Sequence, residues 1–262
     1  VNGLWIGKEL SNLELLTIHS FISQGHVFHL WTYNPIETEL PAGTEICNAA
    51  EIIPVSSVFA YTHSNKYGHG KGSYAGFSDI FRYKLLYELG GWWVDMDVTC
   101  LKPLDFTKPY FFRKHHEMPA VGSVMSAPKG SKLMKLCYEE SIATVNAASI
   151  NWHQPIEILN KYIVQENLSG FVESGASNLD SWLETSSYIR TDKQIPEEWY
   201  FIHWQNEEWR VRGVNRNSFY YRSALALLMA KYQLTTLPAG YWQKWKNELR
   251  HSRLARRVNF NR

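Results

Sequence analysis

Short apolar blocks alternate with longer amphipathic ones along this chain. Near the start, "GLWIG" has the length and composition of a buried strand. A helix is expected from about Ser11, with Asn12 and Glu14 in its first turn. "HVFHLWTY" alternates apolar and polar positions as a second strand does, and Asn34-Pro35 closes it. Strand, helix and strand at this spacing predict a βαβ start and a Rossmann-like sheet. Residues 36–62 are expected to carry a short helix and a strand at "EIIPV".

The most regular stretch is "FSDIFRYKLLYELGGWWVDMDVTC", residues 77–100. Ser78 or Asp79 can cap a helix running to Leu89, with Ile80, Tyr83, Leu86 and Tyr87 on one packed face and Gly90 at its end. "WWVDMDV" then reads as a central strand. Beyond it, "PAVGSVMSAPKGSKLMKLCYEESI" predicts a strand and a helix, and "HQPIEILNKYIVQ" another helix. "WYFIHW" reads as a late strand, and "SFYYRSALALLMAKYQ" as a helix. The expected class is α/β, with a central mixed, mostly parallel sheet flanked by helices. One domain over residues 1–240 is expected, followed by a basic amphipathic helix or tail over 241–262.

Composition narrows the function. The 262 residues are 45% hydrophobic and 20% charged, ordinary for a globular protein with ample core. A net charge of +2 argues against a polyanion binder, so no nucleic-acid partner is expected. Three cysteines, Cys47, Cys100 and Cys137, suit neither a disulfide framework nor a zinc site and point to a reducing compartment. No apolar run approaches the roughly 20 residues that span a bilayer, and the N-terminus lacks the features of a signal peptide. A cytoplasmic protein is expected, peripheral on the inner face of a membrane. The second half of that expectation rests on the tail. Tyr241, Trp245 and Leu249 share one helical face there, and Lys246, Arg250, Arg253 and Arg257 another, as in helices that lie on anionic lipid. Most of the eleven Trp and fifteen Tyr are expected in the core, and the surplus suits stacking on sugar rings or bases.

Candidate chemistry centres on Asp95 and Asp97. Two apart on a strand, they would project to one face, with Met96 turned away. Two converging carboxylates repel unless a cation sits between them, and oxygen ligands suit Mn²⁺ or Mg²⁺. Asp79 and Arg82, three apart on the preceding helix, are neighbours on one surface. "NKYGHGKGSYAG" is a Gly-rich loop without the glycine a P-loop requires, either a plain surface loop or a lid over a bound donor.

The stretch "FSDIFRYKLLYELGGWWVDMDVTCLKPLD" strongly resembles the DXD sugar-binding region of a retaining glycosyltransferase family. That family includes α-1,4-galactosyltransferases, yeast Golgi mannosyltransferases and bacterial capsule or lipopolysaccharide enzymes; the large glucosylating toxins are more distantly similar. "LWIG", "GHVFHLWTY" and "FIHWQNEEW" resemble other segments of the family more loosely. The resemblance implies a GT-A-type fold and transfer of a hexose from a nucleotide diphosphate sugar, UDP-sugar favoured, to a glycan or lipid-linked glycan with an α-linkage. It implies a metal site of Asp95, Asp97 and His203, and donor contacts from Trp5, Ile6, Ser78, Asp79, Arg82, Asp95 and Trp209. Trp5 and Ile6 would lie by the base, Asp79 and Arg82 on the sugar hydroxyls, and Trp209 over the diphosphate. Where family members commonly show Gly-Pro, this chain has "WHQP", which makes His153 and Gln154 the candidates to face the reacting sugar.

Two other readings use the same residues. "WWVDMDVT" also satisfies the motif of haloacid dehalogenase-type phosphatases, in which the first Asp is a nucleophile. That chemistry needs a second acidic cluster, and Asp105, Asp180 and Asp192 are far apart in sequence. A catalytically silent carbohydrate-binding or scaffold protein of the same fold would have little reason to keep the acidic pair.

Overall fold

The computed structural model describes residues 1–214, 220 and 222–234. The basic segment 241–262 and the expected domain boundary at 240 lie outside the described residues. The chain begins with β1 (Asn2–Trp5), α1 (Asn12–Ser23), β2 (Phe28–Thr32) and β3 (Thr44–Asn48). It continues through α2 (Ala75–Leu89), β4 (Gly91–Val94), β5 (Val98–Cys100), β6 (Phe111–Arg113) and β7 (Val121–Ala127). Next come α3 (Lys132–Thr144), α4 (Gln154–Gln165), β8 (Val172–Glu173), α5 (Trp182–Arg190), β9 (Phe201–His203), α6 (Asn206–Val211) and α7 (Ala224–Lys231).

Seven strands form one sheet in the order β3-β2-β1-β4-β7-β6-β8. Only β7 runs against the others, so the sheet is mixed and mostly parallel, as expected. Alternation along β4 divides the core. Trp93 faces the cluster that contains Phe77, Phe81 and Leu133 of α2 and α3, and Val94 faces the cluster that contains Ile18 and Phe21 of α1. Buried Asn2 ties three strands together: it donates to the Trp92 carbonyl (2.9 Å) and accepts from the Trp31 indole (2.9 Å).

Helix α1 starts where the sequence places it, because Ser11 and Glu14 form a reciprocal capping box. Helix α2 starts earlier than expected, at Ala75, so Ser78 and Asp79 are interior residues and not caps. Its first turn packs so closely on Tyr61 that a Cβ on Gly76 would lie 2.2 Å from the tyrosine oxygen. Gly90 ends the helix with φ +70°, a backbone angle that L side chains rarely adopt.

Two expected strands differ from the sequence reading. "EIIPV" is not a strand: Asn48 caps a turn of 3₁₀ helix at Ala49–Glu51, and a second follows Pro54. The strand lies just before it, as the edge strand β3, whose residues are mostly exposed and carry no core-facing alternation. "WWVDMDV" is also not continuous. β4 stops at Val94, a turn closed by Val98 N–H donating to the Asp95 carbonyl (3.2 Å) follows, and β5 leaves the main sheet to pair with β9. Among the described residues, no helix is long and apolar enough to cross a membrane.

Candidate metal and sugar-binding site

Parallel strands β1, β2 and β4 end on one edge of the sheet, where open α/β sheets bind ligands. β1 and β4 are neighbours whose following connections run in opposite directions, to β2 on one side and towards β7 on the other. The turn after β4 emerges at that crevice and carries Asp95 and Asp97. Antiparallel pairing of β5 with β9 sets His203 opposite Val98, next to the acids. One ligand atom from each of Asp95, Asp97 and His203 lies within 4.8 Å of the others.

Asp97 is buried and firmly held. Its Oδ2 accepts from the Asn206 backbone N–H (2.6 Å) and lies 3.3 Å from His203 Nε2, and its carbonyl accepts from Trp204 N–H (2.9 Å). Asp95 Oδ1 accepts from the Trp93 indole (2.9 Å) and pairs with Arg82 Nη2 (3.0 Å). Arg82 Nη2 also reaches Asp79 Oδ1 (3.1 Å), and the guanidinium stands 5.1 Å over the Trp93 ring. Arg82 therefore bridges the helix acid to the turn acid. It fits there because residue 122 on β7 is glycine: a Cβ would lie 2.8 Å from Arg82 Nη1.

Burial and neighbours pull these groups apart in acidity. Burial raises Asp79 to about 6 against the opposing pull of Arg82, with Asp95 adding to the rise. Burial also raises Asp95; Arg82 opposes it and the Asp97 charge reinforces it. Burial pushes Asp97 up too, but the His203 charge, its hydrogen bond and the Asn206 N–H outweigh that and hold it below the usual range. Burial pushes His203 down, yet Asp97 and Asp180 outweigh it and lift the imidazole to about 10. Without a metal, a protonated His203 and Arg82 thus supply the positive charge that the two acids require.

Two carboxylates and one imidazole are a fitting donor set for a hard to borderline divalent cation. Asp95 keeps 27% of its side chain exposed, so the group is open towards solvent and a ligand's oxygen could join it. Among the described residues this is the single group of three such side chains. Asp180, one of the later aspartates that the phosphatase reading would need, is engaged by Arg113 and His203.

Residues 43–112 match the family described as a glycosyltransferase sugar-binding region containing a DXD motif. This part of the chain is similar to a glycosyltransferase sugar-binding region. It holds Asp79, Arg82, Asp95 and Asp97, whereas His203 lies outside it. In structure the chain is similar to the PaToxG glycosyltransferase, with 13% identity, a TM-score of 0.46, and 63% of this chain and 68% of that one covered. It is also similar to a transferase mutant with two cysteines replaced by serine, with 9% identity, a TM-score of 0.44, and coverage of 66% and 90%. No curated protein matches the chain in sequence.

The other expected residues sit at varied distances from this matched region. Trp5 ends β1 on the same sheet edge, half-buried, its indole donating to the Glu9 carbonyl (2.9 Å); half-buried Ile6 follows it. Ser78 supports Arg82, accepting from Nε at its carbonyl (3.3 Å) and from Nη2 at its hydroxyl (3.4 Å). Trp209 is not placed to close over a diphosphate. It is fully buried with Trp204 and Leu225, and its indole donates to the Trp204 carbonyl (2.6 Å). His153 and Gln154 open α4, beside Trp152, which packs on Tyr61 and His69; neither belongs to the metal-ligating group. The Gly-rich loop docks on α6, where His69 Nε2 meets Glu208 Oε1 (2.8 Å) and Gly70 N–H donates to Glu207 (2.9 Å).

Sequence reasoning missed the residues behind His203. Arg113, fully buried on β6, pairs with Asp180, and Asp180 Oδ1 lies 2.7 Å from His203 Nδ1. The one signal was a charged residue directly after the apolar pair Phe111-Phe112.

Proposed function

We propose that this protein is a metal-dependent retaining glycosyltransferase. It would move a hexose from a nucleotide diphosphate sugar, UDP-sugar favoured, to a glycan or lipid-linked glycan acceptor, with an α-linkage, in surface polysaccharide or glycolipid synthesis. The observation that carries this reading is the convergence of Asp95, Asp97 and His203 within 4.8 Å at the ligand-binding edge of a matched sugar-binding region. Retention, the α-linkage and the donor class rest on the resemblance of residues 77–105 to retaining enzymes.

In this reading Asp95, Asp97 and His203 hold Mn²⁺ or Mg²⁺, which when bound supplies Lewis-acid stabilisation to the charge developing on the departing diphosphate. Asp79 accepts from hydroxyls of the transferred sugar and Arg82 donates to them, each oriented by the other across 3.1 Å. Burial of the pair makes these bonds discriminating, because a sugar lacking the matching hydroxyl leaves a desolvated charge unpaired. Trp5 and Ile6, at the end of β1, flank the space for the base.

The test is release of nucleoside diphosphate from a panel of nucleotide sugars, with and without Mn²⁺. Manganese-dependent release by the wild type and none by Asp97→Ala is expected. A chain that binds nucleotide sugars with Mn²⁺ but never cleaves them would instead be the silent carbohydrate-binding protein.

A further inference from the structure

Behind the proposed metal site, β9 is gripped by a short irregular segment, residues 177–180. Buried Asn178 brackets the backbone of His203: its Oδ1 accepts from His203 N–H (2.9 Å) and its Nδ2 donates to the His203 carbonyl (2.8 Å) and to Thr185 Oγ1 (2.9 Å). Two residues on, the chain passes through a left-handed conformation at Asp180, φ +64°, uncommon for a residue with a side chain. That bend brings the Asp180 carboxylate, with 7% of its surface exposed, to 2.7 Å from His203 Nδ1. Its other oxygen pairs with Arg113. Arg113 is fixed in turn by Ser123 Oγ (3.0 Å), Ser177 Oγ (3.2 Å) and the Asn178 carbonyl (2.6 Å).

We infer that Asp180 is the positioning residue for the metal-ligating histidine: it fixes the ring and its tautomer, so that His203 presents Nε2 to a divalent cation. This inference rests on the metal-dependent reading above. A carboxylate only accepts, so the hydrogen between Asp180 Oδ1 and His203 belongs to Nδ1. Arg113 only donates, and its Nη2, 3.2 Å from the same Nδ1, finds its acceptor in Asp180. In the singly protonated ring that a metal would need, the lone pair of Nε2 is then on the side of Asp97, 3.3 Å away, where Asp95 and Asp97 converge. An anionic partner on the far nitrogen also makes the near one a better donor, and removing such partners weakens metal sites. Arg113 keeps Asp180 in place and neutralises its charge, so the buried carboxylate has two partners, one of them a proposed ligand. If Asp180 served only to neutralise Arg113, its 2.7 Å contact to the ring would not be needed.

Mn²⁺ affinity, read from the signal of the free ion by electron paramagnetic resonance, tests this without turnover. Asp180→Asn should weaken Mn²⁺ binding about 10- to 100-fold. Asp180→Asn combined with His203→Ala should bind no more weakly than His203→Ala alone, because the aspartate acts through that ring. An Asp180→Asn affinity within about twofold of wild type, or losses that multiply in the double variant, overturns the inference. A second measurement needs no variant: long-range ¹H–¹⁵N spectra of the Mg²⁺-loaded wild type should show His203 protonated at Nδ1 and not at Nε2, and the reverse pattern overturns it. A wild type that binds no Mn²⁺, alone or with UDP, overturns the proposed function along with this inference. Binding lost in Asp97→Ala but indifferent to Asp180→Asn overturns this one only.

Discussion

His203 holds two carboxylates apart, and its charge sets how the metal-free protein responds to pH. The imidazole is lifted to about 10 in the fold from an ordinary value of 6.5. A raised basic group stabilises fully below its unfolded value and loses that contribution as pH rises through the folded one. The melting temperature of EDTA-treated protein should therefore fall between about pH 6.5 and 10. His203→Gln should flatten that slope. Metal binding needs the deprotonated ring, so Mn²⁺ uptake should release a proton and tighten with rising pH over the same window, measurable by calorimetry in two buffers. Arg82 is the second residue with a sharp consequence. Its replacement by Met leaves buried Asp79 and half-buried Asp95 without their cation, a change that costs about 3 kcal/mol and should appear as a lower urea midpoint. An unchanged midpoint would show that the bridge is not what holds the two acids together.

At the scale of elements, the approach of α2 to β7 seats Arg82. Gly122→Ala puts a methyl 2.8 Å from Arg82 Nη1, so the guanidinium must shift. Overpacking of this kind costs about 1–3 kcal/mol. Donor affinity should fall with it, and Gly122→Ala with unaltered donor affinity would mean that the guanidinium can move without consequence. The α2–β4 unit was legible in the sequence because its helix is dense in apolar residues and Gly90 marks its end. Its acids converge, but not by the route that alternation along one strand suggested. They converge through a turn that ends β4, not through the period of one strand, and the hydrogen bonds that close a turn leave no trace in hydropathy. β3 was misplaced because an edge strand buries little and shows no alternation. His203 was identified only through family resemblance, and Asp180 and Arg113 not at all. Their partnership spans 67 residues, and no local pattern encodes a contact of that range.

At the largest scale, two sheets among the described residues divide the labour. The large one supports the edge where Trp5 and the acids emerge, and the β5–β9 pair carries the histidine to them. The basic segment after residue 240 has its own expected role, tied to a membrane-embedded acceptor. Each Lys or Arg near an anionic surface contributes about 1 kcal/mol, so removing residues 241–262 should abolish sedimentation with phosphatidylserine vesicles and leave donor cleavage intact. Equal sedimentation of the full and shortened chains would end the membrane idea.

His203 meets Asp97 across a separation of more than a hundred residues, through a two-stranded ladder of three residue pairs. Synthesis from the N-terminus makes the acidic half of the pocket early and its nitrogen donor late. A growing chain stalled before residue 201 would carry Asp97 without its later partners and no finished cation seat, so the protein would acquire its proposed metal only once its late strand has docked.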